Sequence, residues 1–193
     1  MTAPVVLGST SRYRAELLHR LLEAFTQAAP SVDEAALPDE APAARALRLA
    51  VAKAEAVART HPQALVIGSD QVAALGGQVL DKPGTAESAR EQLRASSGRT
   101  VHFHTALCVF DARTGQRHTH VDLTRAVFRE LGESEIDRYV TREQPLDCAG
   151  SFKCEALGIS LFERIETTDP SALIGLPLIA LARLLRAAGH AVP

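Results

Sequence analysis

Short apolar runs alternate with helical stripes along the chain. Val5-Val6-Leu7 reads as a buried strand, and Gly8-Ser9-Thr10-Ser11 separates it from a helix whose apolar positions, Leu17, Leu18, Leu21 and Leu22, follow helical spacing. Residues 28–42 are rich in Pro, Asp and Glu and read as an extended segment and loop. A long helix is expected from about Pro42 to Thr60, with Leu47, Ala50, Val51, Ala54 and Val57 on one face and Lys53 beside that stripe. Ala64-Leu65-Val66-Ile67 has the length and branching of a strand buried on both faces, ending at Gly68-Ser69 with Asp70 just beyond. Ala73-Ala74-Leu75, Gly76-Gly77 and Gln78-Val79-Leu80 spell a hairpin.

The second half continues the alternation. Asp81-Lys82-Pro83-Gly84 breaks the pattern and starts a helix that points Ala86, Ala89 and Leu93 inward, ended by Ser97-Gly98-Arg99. Val101, Phe103, Thr105, Leu107 and Val109 alternate as in a half-exposed strand, and a turn at residues 111–116 leads to another strand from about His118 to Arg129. Ser134 is placed to cap a short helix with Ile136, Tyr139 and Val140 on its inner face. Residues 145–155 suit neither helix nor ordinary strand, while residues 158–165 read as a strand. A loop from Asp169 to Pro177 enters a last helix carrying Leu178, Leu181, Leu185 and Ala188, which Gly189 stops at C′. The order of strands and helices predicts an α/β fold.

Composition narrows the function classes. A chain of 193 residues suits one domain over residues 1–193, and 46% apolar with 23% charged residues is ordinary for a globular protein. A net charge of −2 offers no electrostatic ground for nucleic-acid binding, so any basic site is local. Tryptophan is absent and aromatics are 4%, which argues against a base-stacking platform. No segment has the apolar length to span a bilayer, and no signal peptide is expected, since the N-terminus reaches Val5-Val6-Leu7 at once without a long apolar core. Cys108, Cys148 and Cys154 form no C-x-x-C pair and read as small core residues of a cytoplasmic protein. His102 with His104, and His118 with His120, each share one face of a strand and read as polar positions rather than a metal site.

Five places could carry chemistry. Asp70 either caps a turn or serves a ligand at the carboxyl end of a strand, where open α/β sheets bind theirs. Ser9, Ser11 and Arg14 either cap the first helix or hold a phosphate at its start. Lys53 either reaches water along its stem or meets a phosphate, and Lys82, held extended before Pro83, suits the same task. Glu34 sits in an acidic loop of the kind that is commonly just solvated.

Several of these stretches together resemble one family over nearly the whole chain. Leu7-Gly8-Ser9-Thr10-Ser11-Arg12-Tyr13-Arg14-Ala15-Glu16-Leu17-Leu18 is similar to the N-terminal signature of the Maf-type nucleoside triphosphate pyrophosphatases. Val32-Asp33-Glu34, Ala52-Lys53-Ala54, Ile67-Gly68-Ser69-Asp70-Gln71, Lys82-Pro83, Ser97-Gly98, Ala149-Gly150-Ser151-Phe152 and Gly175-Leu176-Pro177-Leu178 match in the same order. Asp70-Gln71, Cys148 through Lys153, Glu155 and Asp169 through Leu178 further resemble the branch acting on 7-methyl-GTP rather than the sister branch for dTTP and UTP.

That resemblance implies an elongated, two-lobed Maf/inosine-triphosphatase-like fold with a twisted mixed β-sheet and a central cleft. It implies hydrolysis between the α- and β-phosphates, with Asp70 as general base. Ser9, Ser11, Arg14, Lys53 and Lys82 would hold phosphate, and Glu34 and Asp70 a divalent cation, Mg²⁺ or Mn²⁺. Tyr13, Gln71 and Glu155 would set specificity, since one carboxylate can accept both donors of the guanine N1–H and N2–H₂ edge. The implied partner is a small nucleotide, with neither nucleic acid nor membrane, and a homodimer is compatible. The alternatives are a dTTP/UTP or broader modified-nucleotide pyrophosphatase and, outside catalysis, a nucleotide-binding regulator of cell division. Two residues depart from the family pattern: Arg12 stands where proline is usual, and Asp81 where glycine precedes Lys82-Pro83.

Overall fold

The computed structural model describes residues 3–192 of the chain. Strand β1 (Val5–Gly8) runs parallel to both β2 (Thr26–Ala28) and β3 (Leu65–Leu75). Strand β4 (Gln78–Leu80) returns antiparallel on β3 through Gly76 and Gly77, whose φ values of +57° and +88° suit a type I′ hairpin turn. With β5 (Thr100–Asp111), β6 (Gln116–Phe128) and β7 (Phe162–Glu166) they form a mixed, open seven-stranded sheet in the order β2-β1-β3-β5-β6-β7, with β4 joined to β3 off that path. The α-helices are α1 (Arg12–Leu18), α2 (Pro42–Ala58), α3 (Ala86–Ser96), α4 (Glu133–Glu143) and α5 (Leu178–Ala187). The α/β class is therefore the observed one. Among the described residues no helix is long and apolar enough to cross a membrane.

The chain divides into two compact units, and β3, β5 and β6 pass from one to the other. The first unit takes the chain as far as Asp70, then residues Thr105–Asp122 and those from Asp169 onward. Its core joins β1, β3 and β5 (Leu7, Ile67, Leu107, Val109) to α1 (Leu17, Leu18) and α5 (Leu181, Leu185). Helix α5 ends in a Schellman motif. Gly189 at φ +78° donates to the Arg186 carbonyl, and the His190 N–H donates to the Leu185 carbonyl.

The second unit, Gln71–His104 with Leu123–Thr168, is built around phenylalanine. Of the six in the chain, Phe103, Phe128, Phe152 and Phe162 meet edge to face, with ring centroids 4.8–5.8 Å apart. Phe152 touches the other three, so the scarcity of aromatics in the sequence hides their concentration in one place. Phe152→Leu should lose these ring contacts and lower unfolding free energy by about 1–2 kcal/mol, read from the urea midpoint at unchanged m-value.

Several elements differ from the sequence reading. Strand β2 leaves no signal in the sequence, because Thr26-Gln27-Ala28 is mostly exposed and shows no apolar pattern. Helix α1 stops at Leu18, and bonds from the Arg20 and Leu21 N–H groups to carbonyls three residues back tighten the exit that still buries Leu22. Strand β5 alternates only over its first half and is then buried through Val109, since small Ala106 and Cys108 face a second covered side. Helix α4 is capped at Gly132, without a side-chain bond, rather than by Ser134. Residues Leu157–Leu161 form a 3₁₀ turn and the strand begins only at Phe162.

The most consequential difference concerns β3, which does not end at Gly68-Ser69. Its parallel partner ends instead: Gly8 is opposite Gly68, and β3 continues through Asp70 to pair with β4. Helix α2 packs across this glycine pair. A methyl group on Gly68 would lie 2.1 Å from the Ala50 carbonyl oxygen, and one on Gly8 would lie 3.3 Å from that of Lys53. The buried face of α2 is accordingly the small one (Ala46, Ala50, Ala54, Ala58) with Leu49 and Val57, while Leu47 and Val51 are only half-buried. This rotation puts Lys53 on the buried face.

Candidate active site

The close approach of α2 to β3 sets one ion pair. Lys53 and Asp70 are 6% and 7% exposed, and the Lys53 ammonium donates to Asp70 Oδ1 at 2.7 Å. The same nitrogen stands 2.8 Å from Glu34 Oε1, so a single ammonium bridges the two carboxylates. Glu34 itself is largely open to water. Its loop is held by the Ala35 N–H donating to Asp33 Oδ1 at 2.9 Å, and by Arg45 and Arg48 of α2 donating to the Glu34 and Ala35 carbonyls. Arg48 also forks onto both oxygens of Glu40 at 2.6 Å, which holds that carboxyl below its ordinary range. An acidic loop that reads as solvated is thus fastened to the helix that carries Lys53.

Arg14 brings a second cation to the same group. Burial pulls its guanidinium below the ordinary value, and the nearby Asp70 and Glu34 carboxylates draw it back up. Its Nε donates to the Gly175 carbonyl at 2.9 Å and its Nη1 to Ser9 Oγ at 3.4 Å. Ser69, fully buried next to Asp70, donates to the same Gly175 carbonyl at 3.0 Å. Gly175 has φ +124°, a conformation open to glycine, and its carbonyl ties Arg14 to the strand bearing Asp70. The loop presenting it is itself clamped. Asp169 accepts from Ser171 Oγ and from the Ser171 and Ile179 N–H groups, Ser171 Oγ accepts from the Leu178 N–H, and Thr105 donates to the Ala172 carbonyl.

The two serines stand in different surroundings. Ser11 caps α1, accepting from the Arg14 N–H at 3.4 Å. Ser9 is buried and faces Arg14, and its Oγ also accepts from the Ser11 N–H at 3.1 Å. Gln27 of β2 donates to the Ser9 carbonyl at 3.0 Å, holding the loop after β1 from its far side. Tyr13 accepts from Arg12 Nη2 at 2.9 Å, with the guanidinium carbon 4.8 Å from the ring centroid. Arg12 occupies the first position of α1, where proline would also fit, and adds this brace to Tyr13.

One unit therefore gathers Ser9, Ser11, Arg14, Glu34, Lys53 and Asp70. Gln71, Lys82 and Glu155 belong to the second unit. Gln71 is half-buried in β3, Lys82 is exposed beside an exposed Asp81, and Glu155 is exposed on the turn before Leu157. Ser69, Gln27 and Gly175 are supporting residues that pattern reasoning missed. Buried serine inside an apolar strand was the available signal for Ser69, whereas Gly175 is 106 residues away from it.

Among the described residues no three His, Cys, Asp or Glu side chains converge as a ready metal site. The cluster consists of two carboxylates facing two cations, a donor set that suits a cation shared with phosphate oxygens better than a closed protein cage.

The Maf-like protein family matches this chain over residues 4–188. The chain belongs to this family. Curated Maf-like relatives cover almost the whole chain. A protein of Aromatoleum aromaticum named 7-methyl-GTP pyrophosphatase is 57% identical over 189 residues, covering 98% of this chain and 97% of its own length. Proteins of the same name from Xanthomonas axonopodis pv. citri and Cupriavidus pinatubonensis are 57% and 52% identical, covering 98% and 96% of this chain and 98% and 94% of their own. The resemblance first seen in scattered motifs thus extends through the Maf-like chain as a whole.

Proposed function

We propose that this protein is a nucleoside triphosphate pyrophosphatase that hydrolyses 7-methyl-GTP to 7-methyl-GMP and pyrophosphate. The observation that carries the reading is the buried Lys53–Asp70 pair with Glu34 and Arg14 around it. Relatives of more than 50% identity that bear that activity's name support the substrate.

Phosphoryl chemistry asks the protein mainly for positioning and charge neutralisation. Arg14, with Nε fixed to the Gly175 carbonyl, can turn its remaining N–H groups to a phosphate oxygen beside Ser9. Lys53 is shared between Asp70 and Glu34, and an incoming polyphosphate competes with both carboxylates for its ammonium. Asp70, relieved of that hydrogen bond, accepts the proton of the attacking water. Lys82 adds positive charge for the departing phosphates.

Glu34 and Asp70 would hold the divalent cation, Mg²⁺ or Mn²⁺, which when bound offsets phosphate charge. Tyr13, Gln71 and Glu155 are assigned to the base, with the Glu155 carboxylate accepting from the guanine edge, whose ring N7-methylation makes cationic.

The experiment is a product assay with and without chelator. Intact protein with Mg²⁺ or Mn²⁺ should release monophosphate and pyrophosphate in equal amounts with no orthophosphate, and chelation should abolish the reaction reversibly. Release of orthophosphate as the first product would sink the α–β assignment.

A further inference from the structure

Glu155 lies at the middle of a turn whose two ends are fastened to one face of α4. At the first end, the Lys153 N–H donates to Tyr139 Oη at 3.1 Å. At the other, the Leu157 N–H donates to Glu143 Oε2 at 3.1 Å. Lys153 Nζ donates to the Glu143 carbonyl at 3.2 Å and lies 3.8 Å from Glu143 Oε1. Tyr139 and Glu143 are four residues apart on the helix, so they meet the turn from a single side.

The turn is closed on itself as well. The Ala156 N–H donates to the Lys153 carbonyl at 3.2 Å, and a methyl group on Gly158 would lie 2.5 Å from that same oxygen. The anchored ends leave Cys154, Glu155 and Ala156 between them, and the Cys154 thiol donates to Glu155 Oε2 at 3.5 Å. Burial pushes that thiol up to about 12 and the Tyr139 hydroxyl higher still, so both remain protonated at neutral pH.

We infer that Tyr139 and Glu143 are positioning residues for substrate selection, acting through the Glu155 turn. The inference rests on the reading of Glu155 as the residue that accepts from the guanine edge. A carboxylate that accepts two donors at once must present both oxygens together, and a turn free to move would spend binding energy on being ordered. Neither Tyr139 nor Glu143 is assigned a contact with the nucleotide.

The test compares kcat and KM for 7-methyl-GTP and for UTP in Glu143→Ala, Glu143→Gln, Tyr139→Phe and Glu155→Gln, each confirmed folded by its circular-dichroism melt. Glu143→Ala and Tyr139→Phe should raise KM for 7-methyl-GTP on the order of tenfold, with kcat held within about twofold and both UTP constants unchanged. Glu143→Gln should restore most of the loss, because its amide oxygen still accepts from the Leu157 N–H. An unchanged KM for 7-methyl-GTP, or an equal loss on both nucleotides, overturns the positioning role provided Glu155→Gln does shift the preference. If Glu155→Gln shifts nothing, the base-reading assignment itself fails and this inference falls with it.

Discussion

Asp70→Asn is expected to reduce turnover about a hundred- to ten-thousand-fold while leaving the protein folded. The variant is close to isosteric. An asparagine oxygen can still accept from the Lys53 ammonium that donates at 2.7 Å in the native protein, so the pair keeps a hydrogen bond. What disappears is the proton acceptor. Single-turnover kinetics on 7-methyl-GTP, run beside a thermal melt, separate the two effects. A folded Asp70→Asn protein with near-native turnover would remove Asp70 from the role of base and leave it as a partner of Lys53.

Gly68→Ala should damage stability and catalysis together. The added methyl would lie 2.1 Å from the Ala50 carbonyl oxygen and 2.8 Å from the Ala54 nitrogen, both backbone atoms of α2 that cannot turn aside like a side chain. The helix has to move off β3, at a cost of about 3 kcal/mol or more. For a chain of this size that lowers the melting temperature by roughly 6–12 °C. Because Lys53 is on the displaced helix and Asp70 on the strand, the surviving folded protein should also lose activity. Gly132→Ala is the matched comparison, since nothing lies within 4 Å of its new methyl group. Equal melts for the two variants would show that α2 and β3 are not in the tight contact described.

Gly68 also shows why the fold was more legible in the sequence than the site was. Features governed by local chemistry could be read directly: the Gly76-Gly77 turn, the Gly189 stop and the Ile136, Tyr139 and Val140 face of α4 all occur as expected. The apolar stripe of α2 predicts Leu47, Ala50, Val51, Ala54 and Val57 as the inner face; Ala50, Ala54 and Val57 are buried, but the glycine pair on neighbouring strands favours the alanine side and leaves Leu47 and Val51 half-buried. The predicted stripe therefore sets Lys53 beside the buried face, whereas it lies on that face. By sequence alone Gly-Ser-Asp-Gln looks like a break, which sets Asp70 after a strand. Ser69 bonds the Gly175 carbonyl and Asp70 pairs with Lys53, so these polar side chains are satisfied by distant groups while the strand continues. Contacts between residues 106 or 161 positions apart, which fix Ser69 and Arg14 to one carbonyl, leave no periodic trace. The family resemblance singled out both ends of those contacts without saying that they touch.

Substrate choice is decided by the ratio of kcat/KM for 7-methyl-GTP to those for GTP, dTTP and UTP, measured by pyrophosphate release from the native protein at one metal concentration. 7-methyl-GTP should lead all three, by about tenfold or more over the pyrimidine nucleotides that offer Glu155 no guanine edge. Faster turnover of dTTP or UTP would contradict it.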